Sequence, residues 1–164
     1  MKKRPARFVG IDVSKDHLDL ACRPEDTRWR VANDNAGIAQ CLVQLRQLKP
    51  TLIVLEATGG WQGALVAALA VSKLPFTVMN PRQIRDFAKA TGQLAKTDAL
   101  DARALAHFAE AVRPALRPLP DAQTRALSAQ LTRRRPLVEM LTAEKTRVAR
   151  APGAIRADIQ AHIT

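Results

Sequence analysis

Residues 51–55 read TLIVL, a continuous apolar run with an acid, Glu56, directly behind it. A run of this kind belongs to a strand buried on both faces, which requires helices on either side of the sheet. The chain is therefore read as α/β, and the remaining segments have to fit around this strand.

Residues 7–13 read as a strand rich in Phe, Val and Ile, interrupted only by Asp12. Residues 17–23 alternate apolar and polar, and 28–32 do the same with Trp29 and Val31 on one face. Short polar connections between the three favour antiparallel neighbours. The cluster 33–35 is a turn and N-cap signal, and Ile38, Leu42, Leu45 and Leu48 recur at helical spacing until Pro50 ends the helix. Behind Glu56, Gly59 and Gly60 permit a tight turn. No Gly-Lys-Ser/Thr follows them, so they are not a phosphate loop of the Walker type. Residues 61–73 predict a helix, with Trp61 as a core anchor, and 76–79 a second short buried strand. Asn80 and Pro81 cap and open the next helix, and a further helix spans 97–112 with Thr97 as N-cap. The order predicts a mixed five-stranded sheet flanked by helices, three antiparallel strands joined to two parallel ones.

Pro114, Pro118 and Pro120 mark a boundary, which divides the chain into residues 1–117 and 118–164. Past it, Leu127, Leu131, Arg134, Val138, Leu141, Lys145 and Val148 recur in steps of four and three. That is heptad spacing and predicts an α-helical, coiled-coil-like arm, kinked or broken at Pro136. Pro152 and Gly153 turn the chain into a short terminal helix.

The formal net charge of +11 suits a polyanionic partner, because Lys and Arg bound to phosphates release counterions. Tyrosine is absent and aromatic residues are few, so stacked bases are not expected to dominate recognition. Cys22 and Cys41 lack metal-ligand spacing and are read as reduced core residues. The basic start is no signal peptide, and the longest apolar stretch, 63–71, is too short for a bilayer. A soluble cytoplasmic protein with no membrane partner is expected.

Four acids stand in special settings. Asp12 sits in mid-strand, and Glu56 sits where a buried strand ends, the place at which α/β sheets bind ligands. Asp98 and Asp101 are three apart and would share one helix face. Two carboxylates about 4 Å apart repel by roughly 4 kcal/mol at an effective dielectric near 20. A cluster of four needs protons or cations to offset this. Oxygen-only ligands suit Mg²⁺ or Mn²⁺ rather than Zn²⁺, and two such ions can bracket a phosphate. Each acid also has an ordinary reading. Asp12 would face solvent, Asp98 would favour a helix start, and Asp101 would pair with Lys96, Arg103 or Arg113. Spacing alone does not bring the four together.

Arg82, Arg85 and Lys89 line one helical face, Lys96 and Arg103 flank the Asp98–Asp101 element, and Arg133, Arg134 and Arg135 form a run in the arm. Each is a candidate nucleic-acid contact, with a solvated face as the alternative. His17, His107 and His162 have no ligand spacing and are read as structural or surface residues.

The segments FVGIDVSKDHLDLACR, LIVLEATGGW and VMNPRQIRDFAKATGQLAKTDALDARALAHFA resemble the insertion-sequence one-ten family of transposases over residues 7–115, KTDALDA (96–102) being the most specific element. The segment RRRPLVEMLTAEKTRVARAP resembles that family's helical linker. GIDVSK alone would also fit actin-like ATPases, but these need two such domains and far more chain. The resemblance implies an RNase H-like (RuvC-like) DEDD domain in which Asp12, Glu56, Asp98 and Asp101 are both the catalytic residues and the metal ligands. It further implies DNA recombination guided by a structured RNA, a homodimer or higher oligomer, and association with the bacterial nucleoid. In the family, a serine in a C-terminal domain supplies the nucleophile. None of Ser14, Ser72 and Ser128 lies in that context, and the chain ends at Thr164. The expectation is a domain that holds metal and nucleic acid but does not recombine alone. The alternatives are a non-catalytic nucleic-acid-binding module and a Holliday-junction-resolvase-like nuclease.

Overall fold

The computed structural model describes residues 5–57, 59–92, 101–116 and 122–163, the last range without the side chains of 122–129, 131, 132 and 135. The chain divides into two compact units, Met1–Arg117 and Pro118–Thr164.

The first unit is built on β1 (Phe8–Val13), β2 (His17–Arg23), β3 (Thr27–Ala32), β4 (Leu52–Glu56) and β5 (Phe76–Met79), in the spatial order β3-β2-β1-β4-β5. β1 to β3 pair antiparallel, whereas β4 runs parallel to both β1 and β5. This is the mixed five-stranded sheet that the sequence pattern predicts. The central strand β1 is buried on both faces, which sorts its side chains by parity. Val9, Ile11 and Val13 join a core with Ile38, Cys41 and Leu45 of α1 (Asn35–Leu48) and Leu65 and Leu69 of α2 (Gly63–Val71). On the other face Phe8, Leu52, Val54 and Met79 pack against Ile84 of α3 (Pro81–Ala90) and Leu105 and Phe108 of α4 (Ala102–Val112). Phe87 of α3 meets His107 and Phe108 of α4 edge to face, at 5.0 and 5.3 Å between ring centroids, and so ties the two helices together. Both cysteines are free and buried.

Some helix ends fall as expected and others do not. The helix α1 is capped by Asp34, whose carboxylate accepts the Gly37 N–H at 2.7 Å, and it ends one residue before Pro50 on Lys49 in the left-handed conformation. Helix α2 is shorter than 61–73 because residues 61 and 62 form a turn. Helix α4 starts at Ala102 with Asp101 as its N-cap, so Asp101 precedes the helix and does not lie within it. Thr97 and Asp98 themselves lie outside the described residues.

In the second unit α5 (Ala122–Arg150) runs through Pro136 without a break, so of the two outcomes expected there, a kink or a break, the break does not occur. A proline removes one N–H and one i to i−4 bond, and the remaining bonds of a 29-residue helix keep it continuous across that position. Leu137, Val138, Met140 and Leu141 on α5 are all exposed. α6 (Gly153–His162) packs on the end of α5, with Arg150, Ile155 and Ile159 lining the groove between them.

Candidate carboxylate site and nucleic-acid interface

The parity of β1 puts Asp12 on the face that α4 covers. Gly10, on the same face one step earlier, is where α4 comes closest. A Cβ there would lie 2.1 Å from the Ala102 carbonyl oxygen and 2.3 Å from the Ala106 nitrogen. Ala21 of β2 is opposite Gly10 and is buried against Ala102 and Ala106. This floor of small residues lets the first turn of α4 rest on the sheet. The N-cap Asp101 is thereby delivered beside Asp12, its side chain accepting the Ala104 N–H at 2.9 Å.

Glu56 ends β4, the parallel neighbour of β1, and the Ala57 N–H donates to the Met79 carbonyl of β5 at 3.1 Å, which fixes the strand end. The electrostatics connect these acids. Burial pushes the Asp12 carboxyl above its ordinary range, the negative charges of Asp19 and Asp101 push further, and the Val13 backbone N–H opposes them. Burial likewise raises Glu56, with Asp12 adding to the shift and Arg85 of α3 opposing it. Asp12, Glu56 and Asp101 are therefore within electrostatic reach of one another through Asp12. Among the described residues, no group of three His, Cys, Asp or Glu side chains is already gathered into ion-holding geometry. Asp98, and Lys96 beside it, lie outside those residues.

The basic candidates separate by location. Arg82, Arg85 and Lys89 are all exposed on α3, and Arg85 is near enough to act on Glu56. Arg103, exposed in the first turn of α4, shares an open depression of about 400 Å³ with Asp12 and Asp101. Arg133 and Arg134 are exposed on α5 in the separate second unit, where Arg135 is described by its backbone alone.

Three side chains that sequence reasoning passed over line the same depression: Asp19, Arg28 and Arg30. Their signal was available in the alternation of β2 and β3, but only a known register puts them level with Asp12. Trp61 is a correction. Expected as a core anchor, it is 51% exposed, because the chain does not enter α2 until Gly63 and the indole precedes the helix. The Asn33 amide donates to the carbonyls of Ser14, at 2.7 Å, and Trp61, at 3.3 Å, joining the loops that follow β1 and β4. The Ser14 hydroxyl donates to the His17 carbonyl at 2.9 Å and accepts the His17 N–H at 3.0 Å, so it serves the β1–β2 turn. We expect Trp61→Phe to change stability by no more than about 0.5 kcal/mol, as at most surface positions. It should also abolish the iodide-quenchable part of the tryptophan emission, leaving that of Trp29. A core tryptophan would instead cost several kcal/mol.

The order β3-β2-β1-β4-β5, with β1 to β3 antiparallel and β4 and β5 parallel to β1, is that of an RNase H-like fold. A family model described as transposase, that of the IS110-type DEDD transposases, matches residues 9–151, and the chain belongs to that family. The pilin gene-inverting protein of Moraxella lacunata is 27% identical over 148 residues, covering 85% of this chain. The chain spans 45% of the length of that relative. Two solved structures of Thermus thermophilus RuvC are also similar. One, in complex with a Holliday junction substrate, has a TM-score of 0.48 and 16% identity over 66% of this chain and 96% of that one. The other has a TM-score of 0.46 and 18% identity over 69% and 99%.

Proposed function

We propose that this chain is the carboxylate-bearing domain of a DNA recombinase, in which Asp12, Glu56, Asp98 and Asp101 hold two divalent cations, Mg²⁺ or Mn²⁺, beside the strand to be cut and rejoined. The observation that carries this reading is that Asp12 and Asp101 line one open depression while Glu56 ends the strand paired parallel to that of Asp12. Hard oxygen donors and no sulfur or imidazole fit those cations. Bound there, the ions would supply Lewis-acid stabilisation of the attacking and leaving oxygens of a phosphodiester. Asp101 is held in place by its own capping bond, and Asp12 by its strand. Arg85 beside Glu56, with Arg82 and Lys89 along the same helix, would hold the strand's phosphates, as would Arg103 and Lys96.

Recombination itself belongs, on this reading, to a larger assembly. The family resemblance implies a nucleophilic serine from a C-terminal domain, a structured guide RNA, and a homodimer or higher oligomer. The exposed apolar side chains of α5 support a helical partner, and Arg133, Arg134 and Arg135 supply charge for nucleic acid along the same arm. Among the described residues no helix is long and apolar enough to cross a membrane. We place the protein in the cytoplasm, at the nucleoid.

Mn²⁺ titration followed by the loss of the free-ion EPR signal tests the central claim. Glu56→Gln is expected to weaken binding at least tenfold, about 1.4 kcal/mol. Equal affinity in the parent and the variant would refute the cation role. It would favour instead a non-catalytic nucleic-acid-binding module.

A further inference from the structure

The register that aligns Asp12 with Asp19 also aligns Asp19 with Arg30, and the next row runs Gly10, Ala21, Arg28. Directly opposed residues on paired strands share a face, so Arg28 and Arg30 stand on the face that carries Asp12. Helix α4 covers only the inner part of this face, over Gly10 and Ala21. Both arginines are exposed and open into the depression that holds Asp12, Asp101 and Arg103. Arg30 is held in a fixed pose, Nε to one Asp19 oxygen at 2.6 Å and Nη2 to the other at 3.0 Å. That two-point clamp does not engage Nη1, on a guanidinium that no longer has to be ordered. Arg28 and Arg103 pair with no carboxylate among the described residues.

We infer that Arg28 and Arg30 form a phosphate track along β3 that carries the flanking part of the DNA strand whose phosphate lies at the carboxylates. Arg30 is two strand spacings from Asp12, roughly 10 Å. At about 3.4 Å per nucleotide of rise, this is roughly three nucleotides from the reacting phosphate. Asp19 acts as a positioning residue, neutralising part of Arg30 while aiming it. A solvated face accounts for the cross-strand Asp19–Arg30 pair, but not for the convergence of three arginines on one acidic depression. The inference rests on the nucleic-acid reading above, but the track is tested without any metal.

The two native cysteines assist that test. Burial pushes the Cys22 thiol up to about 11 and the Cys41 thiol up to about 12, so neither competes with an introduced surface thiol for reagent. Arg28→Cys, labelled with an azidophenacyl photocrosslinker and mixed in EDTA with a labelled single-stranded DNA oligonucleotide, should crosslink. The same label on Arg46→Cys, on α1 at the opposite face, should not. In parallel, the Arg28→Gln/Arg30→Gln pair should flatten the log affinity against log salt slope by about 1.4, roughly 0.7 for each single-strand phosphate that an arginine neutralises. Arg46→Gln should leave the slope where it was. Equal crosslinking at both positions, or an unchanged slope in the pair, would overturn the track. So would crosslinking to the matching RNA but not to DNA. None of these results bears on Mn²⁺ binding by Glu56→Gln, so the track and the cation site stand or fall separately.

Discussion

Asp12→Asn should make the metal-free protein more stable at neutral pH and leave it nearly indifferent to Mg²⁺. Ordinarily a substitution in the central strand of a sheet destabilises. Here the parent side chain is a half-buried carboxylate repelled by Asp19 and Asp101, and it in turn repels Glu56. Removing one charge from such a group relieves about 1 to 4 kcal/mol, depending on how far water screens it. For a domain of this size that corresponds to several degrees in Tm. The Asn amide oxygen can still accept the Val13 N–H that Asp12 uses. The pH dependence follows from the same shifts. Asp12 and Glu56 have folded-state pKa values raised above their ordinary values of 3.8 and 4.5. The native state therefore binds more protons than the unfolded state in the interval above those values. The stability these groups lend is fully present below them and is lost as pH rises through the raised folded values. Metal reverses the comparison. A cation bound only by the native state adds RT ln(1 + [L]/Kd), about 2.7 kcal/mol at a hundredfold excess over Kd. The parent should gain that in Mg²⁺ and the variant little of it, so the two orders of Tm, with and without Mg²⁺, should be opposite. Calorimetry in EDTA and in Mg²⁺ measures both. A variant less stable than the parent in EDTA would show that Asp12 is a structural acid and not a strained one.

The sheet was legible because its evidence is local. The run 51–55 and the alternation of 17–23 indicate burial, the short connections favour antiparallel neighbours, and the observed sheet of three antiparallel and two parallel strands agrees. What escaped depends on how elements meet. Trp61 follows a Gly pair and precedes an apolar helix, so pattern alone assigns it to the core; its exposure follows from a turn at 61–62 that periodicity does not reveal. Asp101 carried two readings, helical ligand or surface ion pair. The structure gives a third, a capping residue, because the carboxylate satisfies a helix-end N–H. Arg28 and Arg30 became interesting only once register set them level with Asp12. A one-residue slip would have turned both to the opposite face. The four acids of the candidate site illustrate both situations. The settings of Asp12 and Glu56 are strand properties and could be read directly. Whether Asp101 approaches them depends on a helix–sheet distance, and that distance is governed by a residue that sequence reasoning treated only as part of a motif.

That residue is Gly10, and Gly10→Ala should be among the most damaging single-methyl changes in the chain. Its new Cβ would lie 2.1 Å from the Ala102 carbonyl oxygen and 2.3 Å from the Ala106 nitrogen. Both are backbone atoms of α4, so no rotamer change relieves the clash and the helix itself must retreat. Overpacking a core typically costs about 1 to 3 kcal/mol. Two rigid backbone obstacles argue for the upper end or beyond, roughly 10 °C or more in Tm. The functional cost should exceed the thermal one. Asp101 caps the first turn of the displaced helix, so its separation from Asp12 grows with the retreat. Mn²⁺ affinity should then fall even at temperatures where circular dichroism shows the variant fully folded. Gly63→Ala provides the contrast. Gly63 opens α2, and a Cβ there meets nothing within 4 Å. The same added methyl should stabilise by a few tenths of a kcal/mol to about 1, by restricting the unfolded chain, and leave Mn²⁺ affinity unchanged. If the two alanine variants lost Mn²⁺ affinity alike, the close packing of α4 on β1 would not be what brings Asp101 to the site.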